Sequence, residues 1–182
     1  MSRIFLTLSL LSLGLLIAAM FLGLTMGNLY AKPEPSEATY LAASRHRLTG
    51  GAAALGVVFV ESLAVTYFIG TGRWCREVVE TYHFDPAPLM ASNRLKRRTF
   101  PCAVLGMLAV IGVAALGAAA DPATLRPNTQ PWAEWHLVGA CVGIVFIAWT
   151  YLVGWNNITA HHTILEDLVA EVGRVRKERG LE

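Results

Sequence analysis

The sequence predicts an all-α integral membrane protein: four transmembrane helices in an up-down bundle, with helices 2 and 4 extended into the cytoplasm. Three observations carry this. Of 182 residues, 54% are hydrophobic and 15% are charged, against roughly a quarter charged in soluble domains. The apolar residues gather into four blocks, at 4–27, 48–70, 102–120 and 137–155. Each block matches the roughly 20 residues that a helix rising about 1.5 Å per residue needs to cross about 30 Å of hydrocarbon. A chain this short is then one domain, with helices expected at about 4–30, 36–82, 100–120 and 131–179.

Helix 1 follows Arg3. Its apolar run exceeds the h-region of a signal peptide, and Leu29-Tyr30-Ala31 is a poor cleavage site, so the segment reads as a retained helix. Helix 2 has Ser36 as its N-cap after Pro33 and Pro35, and no further proline until Pro86, so it runs past the apolar block to about Tyr82. The segment 83–99 reads as a cytoplasmic loop, with Asp85-Pro86-Ala87-Pro88 stopping helix 2. Helix 3 follows it. Helix 4 opens at Pro131 and continues to Gly180, a well-placed C-terminal cap. Ile164, Leu165, Leu168, Val172 and Val175 recur at helical spacing in its tail, making 158–179 an amphipathic cytoplasmic extension. That stripe packs on the end of helix 2 near Val78, Val79 and Tyr82, lies along the headgroups, or meets a partner subunit.

Lys and Arg set the orientation. Arg3, the bases between helices 2 and 3, and Arg174, Arg176, Lys177 and Arg179 share one side, which the positive-inside rule places in the cytoplasm with both termini. The membrane is most simply a bacterial inner (plasma) membrane. Arg94, Lys96, Arg97 and Arg98 sit where helix 3 enters, and attract anionic lipid headgroups at about 1 kcal/mol per base. So short a basic run beside a membrane helix does not indicate nucleic acid. Cys75, Cys102 and Cys141 form no C-x-x-C pair and imply no disulfide framework. No serine, cysteine or carboxylate pair has a catalytic spacing, which speaks against an enzyme of hydrolysis or transfer.

Two features carry chemistry. Glu61 lies in the middle of the second apolar block, where a carboxylate costs roughly 2.5–3.5 kcal/mol and needs a partner, a proton or water. It shares a face with small residues, Gly50, Ala54 and Ala64, and no other apolar block holds a Lys or Arg to pair with it. It reads as a neutral packing carboxyl bonded to Thr66, Tyr67 or a backbone carbonyl, or as one completed by another chain. The second feature is His46 and His136, which open helices 2 and 4 at similar heights near the outer surface. Imidazoles from neighbouring helices are how a bundle holds haem iron through two axial bonds. Gly139 and Gly143 also put a small-residue face on helix 4.

Three functions follow. The first is a small non-catalytic membrane subunit or scaffold of a larger complex, partnered by other membrane subunits or by itself, with Glu61 as the buried carboxyl. The second is a b-type cytochrome subunit with haem b held by His46 and His136. The third is an oligomeric proton or ion conductor using Glu61.

Overall fold

The structure, a computed structural model, describes residues 1–181. Four helices build it: α1 (Ser2–Thr25), α2 (Glu37–Tyr82), α3 (Ala87–Ala120) and α4 (Trp132–Glu178), with a 3-10 turn at Pro122–Thr124. All four are long and apolar enough to cross a membrane. Consecutive helices pack side by side and antiparallel, α4 closes back on α1, and the α2–α4 diagonal is the shorter one.

Local chemistry sets most of the ends. Ser36 has extended backbone angles and its hydroxyl accepts from the Thr39 amide at 3.2 Å, capping α2. At the far end His83 takes a left-handed conformation and its amide bonds the Val79 carbonyl, so α2 stops there without needing a proline. Gly180, at φ +64, turns the chain after α4 and bonds the Lys177 carbonyl, a position that favours a residue lacking Cβ. Helix 1 ends earlier than the hydropathy suggests. Gly27, at φ +89, and a turn in which Asn28 Oδ1 accepts from the Tyr30 amide at 2.8 Å break the helix beyond Thr25.

The expected loop at 83–99 is mostly helix. α3 begins at Ala87, with Pro86 at its N-cap and Asp85 Oδ1 accepting from the Ala87 amide at 2.8 Å. Pro88 falls in the first turn, where a missing N–H leaves no bond unmade. The two prolines therefore open α3 rather than merely ending α2. Three helices, not two, extend past their apolar blocks, and the bases from Arg94 to Arg98 are displayed on a helix. Pro101 inside α3 removes the amide that would have bonded the Arg97 carbonyl, and its ring crowds that carbonyl.

The core has two parts. Phe5, Val57, Phe68, Ile147 and Ile158 centre the larger one. The smaller holds Cys75, Val78, Val79 and Leu168, flanked by Tyr82, Leu89, Ile164, Leu165 and Val172. Leu168 is thus buried, and Ile164, Leu165 and Val172 partly so, against α2 and the first turn of α3. Each fully buried aliphatic side chain there stabilises by roughly 1.5–3 kcal/mol.

Candidate functional site

His46 and His136 meet at the end of the bundle where α1 and α3 finish. Both lie early in long helices antiparallel to α1 and α3, so the up-down topology brings them to one height. Their ring centroids are 6.0 Å apart, with the planes at 72°. His46 Nδ1 is 2.8 Å from the Ala19 carbonyl on α1. That carbonyl is inside a helix, but its second lone pair is free to accept. The ring reaches it because the next turn of α1 carries Gly23, where a Cβ would stand 2.9 Å from His46 Cε1. With Nδ1 donating to a carbonyl, the bare lone pair is on Nε2, the ligating tautomer.

His136 repeats the arrangement on α3. A Cβ on Gly117 would lie 3.0 Å from its Cε1 and 3.4 Å from its Nδ1. Here Nδ1 is buried with no hydrogen-bond partner among the described residues.

Both rings edge a cavity of about 590 Å³ between the four helices, within the roughly 300–1,000 Å³ of small-molecule and cofactor sites. Leu16, Met20, Val110 and Ile147 give it apolar walls, and Gly50, Gly51 and Gly143 widen it. Arg47, Asp121 and Asn28 stand at its open end. A depression of about 620 Å³ along Cys141, Val145 and Trp149 lies on the outward face of α4 alone and gathers no chemistry.

The cavity is built from a repeat that sequence reasoning missed. The α1–α2 and α3–α4 hairpins supply equivalent residues at constant offsets: Ala19 with Val113, Gly23 with Gly117, His46 with His136, Ala54 with Ile144. The available signal was a glycine near the end of one helix followed by a histidine early in the next, occurring twice. Equivalence fails at several polar positions, three of which bear on the site. Arg47 corresponds to Leu137, Asp121 to Gly27, and Glu61 to Tyr151.

Glu61 lies farther along α2, below the cavity floor formed by Ile147, and is 1% exposed. Its partner is Thr150 on α4, with Thr150 Oγ1 2.6 Å from Glu61 Oε1. The expected neighbours are engaged elsewhere: Thr66 donates to the Ser62 carbonyl, and Tyr67 meets His161. Gly106 on α3 makes room, since a Cβ there would be 2.6 Å from Glu61 Oε1. Thr150 Oγ1 is also 2.8 Å from the Ile147 carbonyl. One hydroxyl hydrogen satisfies one acceptor. A protonated Glu61 completes both contacts, donating to Thr150 Oγ1 while Thr150 donates to Ile147. At the equivalent level of the other hairpin, Tyr151 donates to Ser12 Oγ at 2.9 Å.

Nearer the tail, His161 is wholly buried between Tyr67 Oη, 3.1 Å from Nδ1, and Ser92 Oγ, 2.8 Å from Nε2. Both ring nitrogens are occupied, and His162 points away to Glu166 at 3.5 Å. Among the described residues no three His, Cys, Asp or Glu side chains converge as a metal site. A site with two imidazoles suits a metal whose remaining ligands arrive with a macrocycle. No family model, curated protein or solved structure matches the chain.

Proposed function

We propose that this chain is a membrane-embedded b-type haem protein, a one-electron carrier in which His46 and His136 hold the iron from opposite faces. The observation that carries the reading is the pair itself, two imidazoles from different hairpins, 6.0 Å apart at one internal cavity. Two imidazole–metal bonds of about 2 Å, each with about 1.1 Å from nitrogen to ring centre, would call for centroids about 6.2 Å apart. The glycines under the rings, and a tautomer that leaves Nε2 of His46 bare, support the same reading.

Haem iron cycles between ferric and ferrous states and so carries one electron. The residues do the rest. His46 is oriented by Ala19 and His136 by its seat on Gly117, so these two side chains would hold the iron, which would supply one-electron transfer. The apolar walls keep water from the iron, which favours the less charged ferrous state. In this reading all four helices span a bacterial inner membrane, the termini and the bases Arg94 to Arg98 lie on the cytoplasmic side, and the histidines lie near the outer face. As an electron carrier the chain serves as a non-catalytic subunit beside membrane redox partners. Part of the stripe on the α4 tail packs on α2.

The test is the visible spectrum of protein purified gently from membranes of haem-replete cells. A Soret band, with sharp low-spin α and β bands on reduction, is expected in the wild type and is lost or converted to high-spin in His46→Ala and His136→Ala. Wild-type protein that shows no Soret band and takes up no added haemin would falsify the reading.

A further inference from the structure

We propose that Arg47 is the anchor for a carboxylate of the bound macrocycle; this rests on the haem reading above. Arg47 directly follows His46 on α2 and is the one Lys or Arg among the described residues that line the cavity. Haem b carries two carboxylates on one edge. Charged groups pushed into an apolar cavity without partners cost several kcal/mol or more, so that edge must lie at the open end, where a cation waits.

The guanidinium is only partly used. Nη1 alone contacts Asp121, at 3.1 Å to Oδ1 and 2.8 Å to Oδ2, while Nε and Nη2 have no partner among the described residues. An Arg–carboxylate pair at its strongest uses two nitrogens in a fork. The Arg47–Asp121 contact therefore leaves a fork edge free for a second carboxylate. Asp121 does not depend on Arg47 for its position, because its Oδ1 accepts from the Ala123 amide at 2.9 Å and caps the 3-10 turn. The Arg47 side chain is 43% exposed and can turn toward the cavity while Asp121 stays in place.

The repeat adds a second observation. Arg47 and Asp121 have Leu137 and Gly27 as their counterparts, so the charge at the mouth lies on one side only, and Arg47 is the cation that a carboxylate there would meet.

The experiment reconstitutes the full-length apoprotein with protohaem or with its dimethyl ester, which keeps the iron and the ring but removes both carboxylates. Wild type is expected to hold the diacid about tenfold more tightly than the ester. Arg47→Leu should bind the two within about twofold of each other, with ester affinity near that of wild type, which also reports a folded pocket. Asp121→Asn, which releases Arg47, should keep or widen the wild-type preference. The proposal is overturned by equal diacid and ester affinity in wild type, by a preference that Arg47→Leu leaves unchanged, or by its loss in Asp121→Asn. Failure of wild type to bind either form overturns the haem reading itself, so the two failures are distinguishable.

Discussion

Gly117 on α3 sits directly against His136 on α4: a methyl group there would stand 3.0 Å from the imidazole Cε1, as one on Gly23 would stand 2.9 Å from that of His46. The 2.9 Å distance is closer than side chains tolerate and the 3.0 Å one is at the edge of that range, and the atoms in the way belong to a ring whose other side faces the cavity. Gly23→Ala and Gly117→Ala should each push an imidazole off its seat and lower haem retention after gel filtration by about tenfold, or about 1.4 kcal/mol. Gly112→Ala is the control. Nothing lies within 4 Å of a Cβ at that position, so it should keep its haem and gain up to about 1 kcal/mol of helix stability. Equal retention in all three variants would remove the glycines from the site.

Glu61 provides a test of protonation. If its carboxyl is the donor to Thr150, Glu61→Gln replaces one neutral donor by another and should change stability in detergent by no more than about 1 kcal/mol. Glu61→Ala leaves a cavity and an unmatched hydroxyl, and should cost about 2–4 kcal/mol. The infrared spectrum at neutral pH should hold a protonated-carboxyl stretch that Glu61→Gln abolishes. A spectrum lacking that band, with a Gln variant as unstable as the Ala variant, identifies an ionised carboxylate instead.

His161 separates a structural histidine from the pair proposed to hold the cofactor. Because Tyr67 and Ser92 occupy both of its nitrogens, His161→Leu strands two buried hydroxyls and should cost about 2–4 kcal/mol, with Tyr67→Phe and Ser92→Ala costing about 1–2 kcal/mol each. Any haem remaining in the folded fraction should keep its low-spin bands. If His161→Leu erased those bands while His46→Ala kept them, the ligand assignment would be wrong.

The four long helices were legible because hydropathy acts over twenty residues at a time, and Ser36 and Gly180 were legible because capping is local chemistry. The start of α3 was not, since Pro86 and Pro88 can end one helix or begin the next, and the Asp85 contact that decides between these is a matter of geometry. The similar height of His46 and His136 followed from their places early in two parallel helices. Their seats on Gly23 and Gly117 did not, because a cross-helix contact depends on rotation about each axis. Thr150 was hidden for the same reason: Thr66 and Tyr67 are nearer to Glu61 in the chain, but Thr66 is turned back to its own helix and Tyr67 toward His161. The repeat was obscured because the shared positions are mostly small apolar residues, common in any membrane helix.

The short turn between α2 and α3 bears on how the chain comes to be made. It is the sole covalent link between two hairpins that each contribute one imidazole, and the hairpin bearing His46 is synthesised first. The cavity is lined by all four helices, so neither the imidazole pair nor the pocket exists until synthesis has run through α4.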